Sequence, residues 1–115
     1  MEPAALPAEL QRTLSEYRRL LEARFGKRLD ALSLFGSRAR GDAEEESDAD
    51  VSVVVRGLSE GERTEAIDLA FEAWRRMDRQ GPLLSPLVWS DAERDARRRA
   101  ERRIALDIDN EGVPL

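Results

Sequence analysis

The sequence contains neither cysteine nor histidine in its 115 residues. Without cysteine the chain can form no disulfide, has no thiolate nucleophile and cannot bind a metal through sulfur. Without histidine it has no imidazole to serve as an acid, a base or a metal ligand. Any catalysis would therefore have to use carboxylates, hydroxyls, arginines and hard cations.

Long apolar runs are also missing, and no basic segment is followed by an apolar one. We therefore expect no membrane span, no cleaved leader and a cytoplasmic location. Apolar residues make up 41% of the chain and charged residues 37%, which is typical of a globular protein with a heavily charged surface. At this length we expect one domain over residues 1–115, in which residues 1–7 form a loose leader.

The net charge of −5 is unevenly distributed along the chain. Residues 42–50 include six acidic residues and no basic one, whereas residues 94–103 include six arginines. The acidic balance argues against direct nucleic-acid binding. In the arginine-rich segment acidic residues recur at helical spacing, which favours an ion-paired, solvated helix face over a docking surface for an acidic partner.

Apolar periodicity predicts helices and strands in the order α-β-β-α-β-α. We therefore expect an α/β (α+β) fold, in which a small mixed sheet is flanked by helices. Helices are predicted over residues 8–25, from 59 to 81 and from 90 to about 110. Strands are predicted over residues 29–36, 49–56 and 83–89.

Two Ser-x-x-Glu sequences predict where the later helices begin. Ser59 with Glu62, and Ser90 with Glu93, each fit a capping box. Pro86 inside the third strand predicts an edge position or a bulge. The apolar residues of the middle helix are expected to share one face against the core: Ile67, Ala70, Phe71, Trp74 and Met77.

The first predicted strand ends in Gly36-Ser37. Glycine allows a tight turn and the close approach of another group to the backbone. A serine hydroxyl and N–H at the start of a helical turn favour an anion, and phosphate is the natural guest. A Gly-Ser pair on its own is more often an ordinary helix cap.

Asp48 and Asp50 stand at the head of the second strand. Because they are two residues apart on a strand, their carboxylates point to the same face. Burying carboxylates is costly unless a cation compensates them. The pair could hold Mg²⁺, which prefers one or two carboxylates together with phosphate oxygens, although Asp-x-Asp alone also fits a solvated acidic loop.

The two features together are far more specific than either one. Gly36-Ser37, ten residues and then Asp48-x-Asp50 resemble the GS-x10-DxD signature of the DNA polymerase β-like nucleotidyltransferase superfamily. The resemblance covers almost the whole chain and is strongest to its small stand-alone members, the minimal nucleotidyltransferases. The segments that carry it are "LFGSRARGDAEEESDADVSVVV", "LSPLVWS" and "IDNEGVPL".

This resemblance implies a polymerase β-like core that binds a nucleoside triphosphate with Mg²⁺. The Gly-Ser turn would hold the triphosphate, and the two aspartates would be the catalytic residues that bind two metal ions. The arginines after the serine could neutralise phosphate charge, or they could be ordinary surface residues. The implied nucleotide-binding residues are Gly36, Ser37, Arg38 and Arg40, and the implied metal ligands are Asp48 and Asp50.

One position departs from the family pattern. Active members carry a third carboxylate on the third core strand, where it accepts the proton of the acceptor hydroxyl, and the alignment places Ser85 there. Serine cannot act as a base at neutral pH without help, and Asp91 lies beyond the end of the strand. Two functions therefore stay open: an adenylyltransferase that uses ATP, or a catalytically degenerate protein that binds nucleotide or neutralises a toxin.

At 115 residues we expect no acceptor-binding domain of the kind that larger relatives use, such as antibiotic nucleotidyltransferases. The acceptor would then be a partner, or a small molecule bound in a shared cleft. The resemblance implies a HEPN-domain partner, typically a helical ribonuclease toxin. This chain would be its antitoxin, which transfers AMP to a tyrosine or simply blocks the toxin, and an oligomer is compatible with that role.

Overall fold

The computed structural model of the protein describes residues 6–36, 48–100, 108–109 and 112–115. The predicted order α-β-β-α-β-α is confirmed, and a two-residue strand follows it near the end of the chain. A short 3₁₀ turn, Gly26–Arg28, joins the first helix to the first strand. The helices are α1 (Ala8–Phe25), α2 (Glu60–Arg76) and α3 (Asp91–Arg99), and the strands are β1 (Leu29–Phe35), β2 (Ala49–Val55), β3 (Leu84–Ser90) and β4 (Val113–Pro114).

The described strands form one mixed sheet in the order β3-β2-β1-β4. β1 is antiparallel to both β2 and β4, whereas β2 and β3 are parallel. Helix α2 makes the crossover that a parallel pair requires. Within the described residues β3 is an edge strand, as Pro86 predicts, because proline has no N–H to donate to a further strand. The predicted mixed α+β fold is confirmed.

One face of the sheet packs against α1 and α2 to form the core. α1 is 18 residues long, and charged side chains cover its outer face. No helix in the described part of the chain is long and apolar enough to cross a membrane. The buried side of α1 is the one that its periodicity predicts, and it consists of Leu10, Thr13, Leu14, Tyr17, Leu21 and Phe25.

Tyr17 links α1 to α2 inside this core. Its side chain is fully buried, and its hydroxyl donates a hydrogen bond of 2.8 Å to the carbonyl oxygen of Ala66. Burial raises the pKa of the Tyr17 hydroxyl, so it remains a donor over the ordinary pH range. The two helices are therefore held close together at this point.

The core-facing side of α2 differs from the one that the sequence predicts. Ile67 and Phe71 were expected in the core, but they are 44% and 51% exposed. The reason is steric, because α1 and α2 lie side by side on the sheet and small side chains allow the closest approach. Ala70 is buried as predicted, and its buried neighbours on α2 are Ala66 and Ala73.

Both predicted capping boxes are present. The Ser59 hydroxyl accepts a hydrogen bond from the Glu62 N–H at 3.2 Å, and the Glu62 carboxylate accepts one from the Ser59 N–H at 3.0 Å. Ser90 and Glu93 make the same reciprocal pair, with both hydrogen bonds at 3.0 Å. These local interactions define the starts of α2 and α3.

Helix α3 contacts β2 and β3 and carries the arginine-rich segment. It is described to Arg99, and most of the predicted extension to about residue 110 lies outside the described residues. Three of its arginines contact other side chains of this chain, and the two that contact aspartates favour the ion-paired interpretation. Arg94 lies 3.0 Å from Asp30, Arg98 lies 2.6 Å from Asp109, and the Arg97 guanidinium lies 5.1 Å from the centre of the Trp89 ring.

Candidate functional site

The candidate site lies at one edge of the sheet, where the end of β1 meets the beginnings of β2 and β3. Asp50, the second residue of β2, is opposite Phe35 of β1 and opposite Ser85 of β3. Residues opposite one another in neighbouring strands lie about 5 Å apart and point to the same face. Asp50 and Ser85 therefore share a face, and it is the one opposite α1 and α2.

Gly36 and Asp50 are in direct contact. Gly36 has a φ of +74°, in the left-handed region that glycine adopts without penalty. A Cβ atom at this position would lie 2.5 Å from Oδ2 of Asp50. The Asp50 carboxylate thus occupies the space that a side chain would fill, and glycine allows both the turn and the close approach.

The two aspartates differ in their surroundings. Asp48 precedes β2 and is exposed, whereas Asp50 is half-buried. Burial, and then the nearby negative charge of Asp48, raise the pKa of the Asp50 carboxyl. The ionised form of Asp50 is therefore less favourable than it would be in water, and a bound cation would relieve that cost.

This pair fits a hard divalent cation. Carboxylate oxygens are the ligands that Mg²⁺ prefers in proteins, and it needs no more than one or two of them when phosphate oxygens complete its shell. Among the described residues no group of three or more potential metal-binding side chains occurs. The remaining ligands would have to be water or phosphate oxygens, so the pair suits a cation that arrives with a nucleotide.

Ser85 stands where the alignment expects the third carboxylate. Its register opposite Asp50 agrees with that alignment, and its side chain is exposed. Asp91 cannot replace it, because Asp91 follows the opposite end of β3 and accepts a hydrogen bond of 3.2 Å from the Gly57 N–H. Asp91 comes six residues after Ser85, a distance of about 20 Å along a strand.

The structure brings Gly36, Asp50 and Ser85 to one edge of the sheet, with Asp48 beside them. The other predicted nucleotide-binding residues, Ser37, Arg38 and Arg40, lie outside the described residues.

The sequence did not single out the serines that continue this face of the sheet. Ser33 of β1 is opposite Ser52 of β2, one step further along the same face from Asp50. They line a cavity of about 160 Å³ with Trp89 and Arg94, a volume below that of ordinary ligand pockets. Each serine interrupts an apolar strand, which is the signal that could have identified them. A larger cleft of about 440 Å³, beside Gly26 and Asp30, touches none of the candidate residues.

Comparison with known proteins gives a family match and several structural neighbours. The family model of the nucleotidyltransferase domain matches residues 14–105, a range that contains every candidate residue. The fold resembles a crystal structure of a toxin-antitoxin with AMP-PNP, at a TM-score of 0.55 and 20% identity over 85% of this chain and 68% of that one. A candidate nucleotidyltransferase from Sulfolobus solfataricus is 19% identical, with a TM-score of 0.44, over 96% of this chain and 88% of that one. No curated protein gives a significant sequence match.

Proposed function

Because the chain belongs to the nucleotidyltransferase domain family, we propose that it transfers a nucleoside monophosphate to an acceptor hydroxyl. The observation that carries this proposal is the contact between Gly36 and the Asp50 carboxylate, with Asp48 close by. It puts the turn that would receive the triphosphate against the carboxylates that would receive the cation. A nucleotide and its Mg²⁺ could then be bound as one unit.

Each part of the site has a task in this reaction. Gly36 leaves room for the Asp50 carboxylate beside the backbone, and Ser37, Arg38 and Arg40 would bind the triphosphate. Asp48 and Asp50 would hold Mg²⁺, which when bound withdraws charge from the α-phosphate and stabilises the departing pyrophosphate. The acceptor oxygen bonds to the α-phosphorus, the bond to the bridging oxygen breaks, and the hydroxyl proton must pass to a base.

We assign ATP as the nucleotide and a partner protein as the acceptor. The structural neighbour is a toxin-antitoxin with AMP-PNP, an adenine nucleotide analogue, which supports both choices. The resemblance to minimal nucleotidyltransferases adds that the partner is a HEPN-domain toxin and that AMP is transferred to one of its tyrosines. A reaction that consumes ATP would take place in the cytoplasm, where ATP is available.

Ser85 favours a second candidate function. A neutral hydroxyl opposite Asp50 can neither accept the acceptor proton at neutral pH nor add charge to a metal site. The chain would then bind nucleotide or neutralise the toxin without transferring AMP. Labelled AMP on the partner distinguishes the two functions, since only the first one produces it.

Calorimetry of ATP binding with and without Mg²⁺ tests the site itself. We expect Mg²⁺ to strengthen ATP binding by the wild-type chain, and the double variant Asp48→Asn with Asp50→Asn to lose that increment because the cation loses both charged ligands. The matched control is Asp78→Asn, at an exposed aspartate beyond the end of α2. Equal ATP affinity with and without Mg²⁺ in the wild-type chain would refute the two-carboxylate site.

Asp50→Asn should also stabilise the metal-free protein at neutral pH. The raised pKa of Asp50 means that its ionised form is less favourable in the folded chain than in the unfolded one. This penalty is present above the raised pKa and fades as the pH falls towards the ordinary aspartate pKa of about 3.9. Urea unfolding in the absence of metal should therefore show a gain for Asp50→Asn near pH 7 that shrinks in acid. A loss of stability at pH 7 would show instead that the carboxylate supports the fold.

A further inference from the structure

An apolar stripe runs along one side of α2 and consists of Ile67, Phe71 and Trp74, which we call the α2 stripe. These residues recur on successive turns of the helix, so their side chains are neighbours. Ile67 and Phe71 are 44% and 51% exposed, and the rings of Phe71 and Trp74 lie 5.6 Å apart. Trp74 is half-buried. Exposed apolar side chains grouped with an aromatic ring are typical of interaction surfaces.

Hydrogen bonds at its two ends show where the stripe lies. At the N-terminal end, one turn before Ile67, Arg63 donates to the carbonyl oxygen of Val88 in β3. At the other end, the indole N–H of Trp74 donates to the carbonyl oxygen of Gly81, just before β3, at 3.3 Å. The stripe therefore runs beside the edge strand of the sheet, away from the alanine face that packs against the core.

We propose that the α2 stripe is the interface of a symmetric homodimer in which the α2 helices of two copies pack antiparallel. The charges along its flank argue for a second copy as the partner. Asp68 and Arg75 lie seven residues apart, about 20° from one another around the helix, and the midpoint between them falls between Phe71 and Glu72. A two-fold axis at that point, the centre of the proposed dimer, places Asp68 of each copy opposite Arg75 of the other.

Both charged residues are available for this contact. Asp68 is exposed, and the Arg75 side chain is 52% exposed. Arg75 already lies 2.6 Å from Glu72 of its own helix, but a pair of this kind is weak at an exposed site and a guanidinium has five N–H donors. In a parallel dimer Asp68 and Arg75 of the two copies would lie on opposite flanks of the interface, and this pairing would be lost.

The apolar side chains also fit the antiparallel arrangement. At a rise of 1.5 Å per residue, Ile67 lies about 7 Å and Trp74 about 4 Å from the centre, on opposite sides of it. Trp74 of each copy would therefore insert between Ile67 and Phe71 of the other, as ridges fit into grooves. Antiparallel packing also sets the two helix dipoles in opposite directions, which is favourable.

Sedimentation equilibrium of the purified full chain tests the dimer. We expect a mass that rises with concentration from one chain to two. Phe71→Ala should raise the dimer dissociation constant by more than about tenfold, because a central aromatic contributes more than about 1 kcal/mol and occurs twice. Glu65→Ala, on the opposite side of α2, is the control and should leave the dissociation constant unchanged.

A charge swap tests the antiparallel geometry. Asp68→Arg alone should weaken the dimer, since arginines would then face one another, and adding Arg75→Asp in the same chain should restore it. Circular dichroism of each variant checks that the helices are intact. A chain that is monomeric at every concentration would overturn the homodimer, even if Phe71→Ala abolished binding to another protein. A swap that fails to restore the dimer, or a dimer insensitive to Phe71→Ala, would overturn this interface. Since the readout is mass, the result does not depend on AMP transfer.

Discussion

Replacing Ser85 with aspartate should raise AMP transfer to the partner by about 10²–10⁴-fold, the usual contribution of a positioned base. The register opposite Asp50 puts the new carboxylate on the face that carries the proposed cation site. It could accept the hydroxyl proton as the acceptor oxygen bonds to the α-phosphorus. The nearby cation would reduce the cost of the added negative charge.

Ser85→Asn is the matched control, because it has the size of aspartate without the charge. Labelled AMP on the partner should increase for the aspartate variant alone. Without metal, Ser85→Asp should also melt at a lower temperature than the wild-type chain, since a third carboxylate adds to the repulsion between Asp48 and Asp50. Mg²⁺ with ATP should reverse that loss by binding the folded state.

Ser85→Asp could also prove as inactive as the wild-type chain, with a melting temperature that Mg²⁺ does not change. Ser85 would then not be the third position of the site, and the alignment of β3 with the family's third strand would be wrong. The nucleotide-binding or toxin-neutralising function without transfer would be favoured if Ser85→Asp bound Mg²⁺ with ATP but left the partner unlabelled.

Gly36→Ala should abolish the Mg²⁺-dependent part of ATP binding and lower the free energy of unfolding by about 1–2 kcal/mol. The loss of stability comes from the left-handed backbone, which is unfavourable for a residue with a Cβ atom. The loss of binding comes from the collision of that Cβ with Oδ2 of Asp50, at 2.5 Å. Because the carboxylate is the end of a side chain, it would rotate away from the position where it could hold a cation.

Gly57→Ala separates these two effects. Gly57 has a φ of +64°, but a Cβ atom there would meet no atom within 4 Å. It should therefore lose stability to a similar degree while it keeps Mg²⁺-dependent ATP binding. Urea unfolding and calorimetry on both variants measure the two quantities. If Gly36→Ala bound ATP with Mg²⁺ as well as Gly57→Ala did, the Asp50 position would not matter for the cation.

Local interactions explain what could be predicted of the fold from the sequence. The apolar spacing of α1 predicted its buried face because contacts between turns of a helix depend on neighbours in the chain. Ser59 with Glu62, and Ser90 with Glu93, marked the starts of α2 and α3 because a capping box is complete within four residues. The two-residue β4, half of it proline, has no periodicity and was not predicted.

For the candidate site, too, the residues could be predicted from the sequence but their arrangement in space could not. Motif spacing singled out Gly36, Asp48 and Asp50, because a strand end and the head of the next strand can be recognised in the chain, and the family resemblance added Ser85. The distances between these residues could not be predicted, because they depend on the register between strands far apart in sequence. The same holds for the pKa of Asp50, which burial and the charge of Asp48 raise only in the folded chain.

Helix α2 shows most clearly what only the tertiary structure decided. The sequence determined that residues 60–76 form a helix, and it contains two apolar rows at helical spacing. One row holds Ala66, Ala70 and Ala73, and the other holds the larger side chains of the α2 stripe. Hydrophobicity favours burial of the row with the larger side chains. However, α1 approaches α2 closely where the Tyr17 hydroxyl donates a hydrogen bond to the Ala66 carbonyl oxygen, so only alanines fit between the two helices. Packing between elements therefore placed Ile67 and Phe71 on the surface.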